Sequence, residues 1–133
     1  MEKKIGRSEK VSFPELSIKN IKSKIDTGAY GIALHVDNIR LINNELLFNI
    51  EGVEYKYSKY KMVSVKSSFG RKQKRFSIFT KIKIGETTYK FFVSLTDRKN
   101  MRYPVLIGRR FLYKFNYIVD VRQKNIYDTS KKV

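Results

Sequence analysis

The residues best suited to do chemistry are the five from Ile25 to Ala29, which read Ile-Asp-Thr-Gly-Ala. We expect the apolar residue to end a strand and Asp26 to project its carboxylate from the turn that follows. The hydroxyl of Thr27 can bond neighbouring backbone, and Gly28 permits a close backbone approach that a Cβ would block. A carboxylate presented on such a turn can take a proton from water, so the segment is a candidate hydrolytic site.

A second segment lies much later in the chain, where residues 105–112 read Val-Leu-Ile-Gly-Arg-Arg-Phe-Leu. This segment resembles the apolar-apolar-Gly-Arg sequence that follows the flap in retroviral-type proteases and leads into their one short helix. The order of the two segments fits a retropepsin fold. The resemblance implies that Asp26 is catalytic and that the active site is supported by Thr27, Gly28, Ala29, Gly108 and Arg109.

Further blocks narrow the resemblance to one bacterial family, the retropepsin-like peptidases associated with RimK and often described as ATP-dependent zinc proteases. The blocks are residues 13–16 (Phe-Pro-Glu-Leu), 24–29 (Lys-Ile-Asp-Thr-Gly-Ala), 33–35 (Ala-Leu-His), 65–68 (Val-Lys-Ser-Ser), 95–98 (Leu-Thr-Asp-Arg), 101–104 (Met-Arg-Tyr-Pro) and 119–120 (Val-Asp). The resemblance covers nearly the whole chain, from about Ile5 to Tyr127. The chain departs from the family at residues 30–32, Tyr-Gly-Ile where members often carry Arg-Thr-Ser, and at Phe69, where they often carry Asn.

Aspartic proteolysis requires two carboxylates, one ionised to activate water and one protonated to polarise the scissile carbonyl, because like charges held close cannot both ionise. The chain contains a single Asp-Thr-Gly, and Asp37, Asp97 and Asp120 lack the Thr-Gly context. We therefore predict a homodimer in which Asp26 faces its symmetry mate across a two-fold axis. The match to the family implies that Thr27 ties the two loops together across that axis.

The segment Ser-Ser-Phe-Gly-Arg at residues 67–71 joins two predicted strands, Tyr55–Val65 and Arg75–Ile84. In a retropepsin this is the flap, which closes over the substrate, excludes water and donates backbone hydrogen bonds to an extended peptide. An ordinary exposed hairpin with a Gly turn is the alternative. The predicted flap and substrate-binding residues are Lys66, Ser67, Ser68, Phe69, Gly70 and Arg71.

A chain of 133 residues suits one domain, and we expect a single retropepsin-like domain over residues 1–133, with its core at about 5–127 and a tail at 128–133. No apolar run is long enough to cross a bilayer, and no apolar segment follows the charged N-terminus to make a signal peptide. We therefore expect a cytoplasmic protein without membrane contact. The absence of cysteine excludes disulfides and thiolate metal sites.

The charge is strongly positive, with 29 Lys and Arg against 12 Asp and Glu and a formal net charge of +17. From Tyr55 to Gly85 there are ten basic residues and no acidic one. Such a balance indicates an acidic partner, although a Lys-rich surface also follows from coding bias.

The pattern of apolar residues predicts an all-β fold with one short C-terminal helix at Arg109–Tyr113, and the family resemblance implies that the strands form a retropepsin-like closed barrel. Residues 76–84 alternate apolar and polar, and Gly85-Glu86 then turns the chain into a second strand, so we expect a hairpin. The other predicted strands are Val11–Phe13, Ile21–Ile25, Ala33–Val36, Glu45–Ile50, Tyr55–Val65, Thr87–Leu95 and Tyr117–Val121.

We expect neither a metal nor a cofactor. There is no His-Glu-x-x-His, and the single histidine, His35, cannot make a zinc site within one subunit. No Gly-x-x-x-x-Gly-Lys-Ser/Thr segment is present to hold ATP. We interpret His35 as a polar strand residue rather than a catalytic one, and Arg109 as a brace that bonds a carboxylate or backbone carbonyls near the site.

The main alternative is a non-catalytic basic β-barrel that binds single-stranded RNA or ribosome components. Residues 55–61 interleave tyrosines with lysines, which on a β-surface can stack bases and neutralise phosphates. Strand alternation favours the opposite arrangement, in which Tyr55 and Tyr57 pack inward and Lys56 faces water. A retropepsin-like domain that has lost activity and only binds peptides is a third possibility.

The sequence thus predicts an aspartic endopeptidase that acts as a homodimer and hydrolyses peptide bonds with activated water. Family members are commonly associated with RimK-type ligases, which add glutamates to protein C-termini. The basic block around the predicted flap suits an acidic tail, so we expect a substrate with an acidic or glutamylated protein end.

Overall fold

The computed structural model describes residues 2–66 and 70–128. Within those residues the chain forms twelve strands, one short 3₁₀ helix (Pro14–Leu16) and one α-helix, α1 (Arg109–Lys114). The strands are β1 (Lys3–Gly6), β2 (Ser8–Phe13), β3 (Ile18–Ile25), β4 (Ile32–His35), β5 (Asp37–Ile42), β6 (Glu45–Ile50), β7 (Val53–Tyr57), β8 (Lys61–Lys66), β9 (Lys72–Ile84), β10 (Thr87–Thr96), β11 (Val105–Ile107) and β12 (Tyr117–Asp120).

The central sheet closes on itself. Strands β10, β4, β11, β3, β2 and β9 are hydrogen-bonded in that order, and β9 pairs again with β10, which makes a barrel with β8 attached to its β9 edge. A closed barrel leaves no free edge among those strands. The predicted closed barrel with one short helix is therefore confirmed within the described residues. No helix in residues 2–66 and 70–128 is long and apolar enough to span a membrane.

The β9–β10 hairpin forms because its two strands alternate between a core face and an outer face. From residue 78 onward the buried side chains on β9 are Ile78, Thr80, Ile82 and Ile84, and on β10 they are Tyr89, Phe91, Val93 and Leu95. On the outer face Phe79 lies opposite Phe92, with their ring centroids 5.0 Å apart. The period-two pattern in the sequence predicted this hairpin and its Gly85-Glu86 turn correctly.

Strand β11 occupies a position in the sheet that its place in the chain does not suggest. It runs parallel to β3, with Ile107 opposite Ile25, and antiparallel to β4, with Ile107 opposite Ile32. The strand thus separates β3 and β4, the two strands that flank the Asp-Thr-Gly loop. Its C-terminal end is held beside that loop.

The predicted strand Tyr55–Val65 is wrong, because the chain changes sheets within it. Strand β7 belongs to a three-stranded sheet with β5 and β6, whereas β8 pairs with β9 on the barrel. Between them Tyr60 packs edge-on against Phe76 of β9, at 5.7 Å between ring centroids, and its hydroxyl donates to the carbonyl of Asn44. These contacts with distant residues hold Tyr60 at the point where the chain changes sheets.

The two ends of the described chain meet in a parallel pair, β1 with β12. Beside this pair the side chain of Glu9, which is fully buried, accepts the backbone N–H of Gly6 at 2.8 Å and that of Tyr127 at 3.0 Å. Buried backbone donors must be paired, and one carboxylate satisfies both. Glu9 therefore joins the N-terminal and C-terminal segments.

We expect Glu9→Ala to lower the free energy of unfolding by about 2 kcal/mol, because it removes the acceptor of the buried Gly6 N–H and of the partly buried Tyr127 N–H. Urea denaturation of the variant would measure this loss. Glu86→Ala, which removes an exposed carboxylate from the β9–β10 turn, is the matched control and should stay within about 0.5 kcal/mol of the parent. Equal midpoints for both variants would contradict the role of Glu9.

Candidate active site

The Asp26 loop begins where β3 ends, at the buried Ile25. The backbone N–H of Asp26 donates to the carbonyl of Ile107 at 2.9 Å, and the Asp26 carbonyl accepts the N–H of Ala29 at 3.1 Å. The side-chain Oδ1 of Asp26 accepts the N–H of Gly28 at 2.9 Å. Backbone bonds on both sides therefore fix the direction of the half-buried carboxylate.

Gly108 allows the chain to pass directly behind this loop. A Cβ at this position would lie 2.5 Å from the carbonyl oxygen of Gly31 and 2.6 Å from that of Ala29. Real Cβ atoms do not approach oxygen so closely, so a side chain at residue 108 would displace the loop backbone. The glycine here serves close packing rather than an unusual backbone angle.

The residues that follow Gly108 are hydrogen-bonded to the loop. The N–H of Arg109 donates to Ala29 at 2.9 Å, and the N–H of Arg110 donates to Tyr30 at 3.0 Å. The Arg109 Nη1 also donates to the carbonyl of Gly28 at 3.1 Å. The start of α1 therefore braces the loop with main-chain and side-chain bonds.

The structure brings together one set of predicted site residues, namely Asp26, Thr27, Gly28, Ala29, Gly108 and Arg109. Arg109 bonds a backbone carbonyl, one of the two partners that the sequence left open. Thr27 and Gly28 are exposed at the tip of the loop. The tip of the loop therefore lies at the protein surface, with Asp26 half-buried beneath it.

The predicted flap lies at the connection between β8 and β9. Lys66 ends β8 and pairs with Lys72 at the start of β9, and Gly70 has a φ of +80°, a conformation that favours glycine. Arg71 is exposed in the same connection. The other predicted flap residues, 67–69, lie outside the residues that the structure describes.

His35 is the last residue of β4, whereas the Asp26 loop leads into the first residue of that strand, Ile32. Its Nδ1 accepts the backbone N–H of Arg98 at 2.8 Å, and its Nε2 lies 3.3 Å from the Asp37 carboxylate. An Nδ1 that accepts a hydrogen bond leaves the ring proton on Nε2, facing that carboxylate. His35 therefore positions the segment that contains Arg98.

The other aspartates that the sequence offered are engaged elsewhere. Asp97 accepts the backbone N–H of Lys99, a bond that lowers the pKa of its carboxyl. Hydrogen bonds from Arg122 lower the pKa of Asp120 to about 2. Asp37 faces His35. In residues 2–66 and 70–128 no group of three or more His, Cys, Asp and Glu side chains is arranged to hold a metal ion.

The tyrosines considered for stacking RNA bases use their rings in packing. Tyr55 and Tyr57 both stack on Phe48, with centroid distances of 5.9 and 5.8 Å, and the Tyr55 hydroxyl donates to the carbonyl of Leu16. Burial raises the pKa of Tyr57. Lys56, between them, is exposed. The inward arrangement expected from strand alternation is confirmed, since both rings pack on Phe48.

Sequence reasoning assigned no site role to Arg75 or Arg98. Burial lowers the pKa of Arg98, and the charge of Asp26 acts in the opposite direction. Burial also lowers the pKa of Arg75, and repulsion from Arg98 adds to that effect. The charge of Arg98 therefore acts on Arg75, and the charge of Asp26 acts on Arg98. The acid-free basic block was the one sequence feature that pointed toward Arg75.

Tyr30, beside the Asp26 loop, is a further residue to which the sequence assigned no site role. It is 61% exposed, and the guanidinium carbons of Arg109 and Arg110 lie 5.4 and 5.3 Å from its ring centroid. Its position marks the site of the departure from the family pattern at residues 30–32. Tyr30 thus adds an exposed aromatic ring, in contact with two arginines, to the surface beside the Asp26 loop.

Comparison with known proteins gives both a family and a fold. The profile of a family described as RimB-like, retropepsin-like aspartic endopeptidase RimB, matches residues 48–130, a range that includes Gly108 and Arg109 but not Asp26. The crystal structure of a Legionella pneumophila protein of unknown function is similar with a TM-score of 0.75 and 28% identity, covering 96% of this chain and 99% of that one.

Curated relatives carry a different kind of name. A probable alpha-L-glutamate ligase of Shewanella pealeana is 31% identical over 117 residues, which cover 79% of this chain and 26% of that protein. One from Desulfotalea psychrophila is 29% identical over 117 residues, with 79% and 25% covered. The chain therefore spans about a quarter of the length of these relatives.

Proposed function

This chain belongs to the RimB-like family of retropepsin-like aspartic endopeptidases, and from that premise we propose that it hydrolyses peptide bonds as a homodimer, with Asp26 of each subunit in the catalytic pair. The observation that carries the proposal is the Asp26 loop itself. Its carboxylate is aimed by the Gly28 N–H, its backbone is braced by the Gly108–Arg109 segment, and its Thr27-Gly28 tip is exposed.

The homodimer is proposed because the catalytic pair needs a second carboxylate besides that of Asp26. Asp97 and Asp120 are held by Lys99 and Arg122, and neither is followed by Thr-Gly. A second copy of the Asp26 loop supplies an identical carboxylate across a two-fold axis, as an isologous interface requires. The exposed tip of the loop is free to meet that copy.

The proposed reaction uses the two carboxylates in opposite protonation states. The ionised one takes a proton from water as the water oxygen attacks the carbonyl carbon, and the protonated one donates to the carbonyl oxygen. A proton then passes to the leaving nitrogen, the C–N bond breaks, and an acid and an amine are released. The protons belong to the pair, so neither subunit has a fixed role.

An acidic or glutamylated protein tail is the proposed substrate. The strands that lead to the flap carry the acid-free basic block, and a positive surface attracts an acidic peptide and speeds its encounter with the enzyme. The relatives that share this domain are named as probable alpha-L-glutamate ligases. A hydrolase that trims glutamates would break the kind of bond that such a ligase makes.

The proposal is tested with two peptides of equal length, one ending in several glutamates and one uncharged, incubated with the protein at mildly acidic to neutral pH. We expect cleavage of both, with the acidic peptide preferred about ten-fold or more at low salt, and a loss of that preference as salt screens the charge. Mass spectrometry of the products identifies the bond that is cut. Sedimentation of the same sample measures the dimer.

Each part of the proposal has its own contrary result. Equal rates on the two peptides would exclude the acidic-tail substrate while leaving the protease. Failure of a dimeric sample to cleave either peptide would count against the enzyme, and steeply salt-dependent binding of single-stranded RNA by that sample would favour the basic binding module instead.

A further inference from the structure

Two arginines lie at the same end of the β9–β10 hairpin. The β9–β10 pairing reaches Ser77 opposite Ser94, Arg75 is two residues before Ser77 on β9, and Arg98 follows the end of β10. Both side chains are partly buried. This end of β9 continues into the connection predicted as the flap, so the two arginines lie between that connection and the barrel.

The structure orients the two guanidinium groups with neutral partners. The Nε of Arg98 donates to the carbonyl of Tyr103 at 3.0 Å, and its backbone N–H is held by His35. The Nε and Nη2 of Arg75 donate to the Oε1 of Gln73 at 3.2 and 3.1 Å. These bonds fix the direction of each group without neutralising its charge.

Within residues 2–66 and 70–128 no carboxylate forms an ion pair with either arginine. Partly buried charges that no ion pair neutralises are costly, and the repulsion between these two adds to the cost, which the charge of Asp26 offsets only in part for Arg98. An anion bound between them would relieve both. The terminal nitrogens of Arg98 make no hydrogen bond to the described residues, which leaves them open to a carboxylate in the two-bond geometry that a guanidinium favours.

We propose that Arg98, with Arg75 beside it, forms a carboxylate-binding subsite of the substrate cleft next to Asp26. The subsite selects a peptide that places an acidic side chain or its free C-terminal carboxylate between the two guanidinium groups. This inference rests on the proposed function, because the cleft it describes is that of the peptidase. The inference names the two side chains that would recognise the charge of the substrate. The positive surface potential alone does not identify them.

The test compares peptides that differ only in the proposed contact. One pair replaces a single Glu by Gln, which keeps the shape and removes the charge, and a second pair amidates the C-terminus. Wild-type protein, Arg98→Gln, Arg75→Gln and Arg98→Lys are compared in kcat/KM for each pair. Lys83→Gln is the matched control, since it removes one positive charge from an exposed position on β9 about 26 Å along the strand from Arg75.

We expect Arg98→Gln to reduce the preference for the charged peptide, in one of the two pairs, by on the order of 10- to 100-fold, the range for hydrogen bonds to a charged group. Arg75→Gln should cause a smaller loss of the preference, and Arg98→Lys should restore part of it. Loss in the Glu/Gln pair assigns the subsite to a side chain, whereas loss in the amide pair assigns it to the C-terminus.

Binding measurements on Asp26→Asn separate this inference from the proposed function. If that variant binds the charged peptides in an Arg98-dependent way while wild-type protein cleaves nothing, the subsite stands and the peptidase falls. If cleavage occurs but Arg98→Gln and Arg75→Gln keep the full charge preference, the subsite is overturned. An equal loss in Lys83→Gln would also overturn it, because net charge alone would then explain the preference.

Discussion

Asp26→Asn is expected to reduce peptide cleavage by about a thousand-fold or more while the barrel stays folded. The amide has the shape of the carboxylate, and its oxygen can still accept the Gly28 N–H, so the loop keeps its hydrogen bond. What the amide cannot do is take a proton from water. The variant is measured by its rate on the oligoglutamate peptide and by circular dichroism, which reports whether the fold is retained.

Mixing the two proteins tests whether the catalytic pair spans two subunits. If wild-type and Asp26→Asn subunits exchange freely at equal concentration, about one quarter of the dimers carry two aspartates. Activity at fixed total protein should therefore fall to about one quarter. A fall to one half would mean that each subunit acts alone, and undiminished cleavage by pure Asp26→Asn would exclude Asp26 from catalysis.

Gly108→Ala is expected to cost about 3 kcal/mol of stability and to lower cleavage by about a hundred-fold in the protein that remains folded. The new methyl group would meet two carbonyl oxygens at 2.5 and 2.6 Å, so the loop that carries Asp26 must move. A shift of this loop by about an ångström takes the carboxylate out of line with its partner. Urea denaturation and steady-state kinetics measure the two effects.

Gly31→Ala provides the control for this prediction. Gly31 lies in the same loop region, but a Cβ there has nothing within 4 Å. We expect the control to stay within about 0.5 kcal/mol of the parent and to keep its activity. If Gly108→Ala behaved like Gly31→Ala, the close packing behind the loop would have no part in positioning Asp26.

Local pattern predicts the parts of this fold whose partners are close in sequence. The alternation at Ile78, Thr80 and Ile82 gave the β9–β10 hairpin because its period is that of a strand with one buried face. The same reasoning took Ser58–Tyr60 as part of one strand, although the alternation shifts there, since Tyr60 comes three residues after Tyr57. It failed because the choice of sheet depends on the contact between Tyr60 and Phe76, which no local pattern contains.

The candidate site divides in the same way. Asp26 and Gly108 were recognisable because each lies in a short motif whose residue types have a direct physical use. Arg75 lies in no such motif, and the Leu-Thr-Asp-Arg block that contains Arg98 gave it no role, because their proximity arises only when β9 pairs with β10 and brings both to one end of the hairpin. A charged residue acquires a site in this way through tertiary pairing, and its sequence context gives no spacing to search for.

The position of β11 between β3 and β4 has a consequence for how the protein is made. During synthesis β3 and β4 emerge first, and the space between them stays open until residues 105–107 arrive. The Asp26 N–H then gains its acceptor, Ile107, and the loop gains its brace. Late pairing of this kind is slow, because distant segments must meet before any contact rewards them. A nascent chain, or one cut before Gly108, therefore lacks an assembled Asp26 loop.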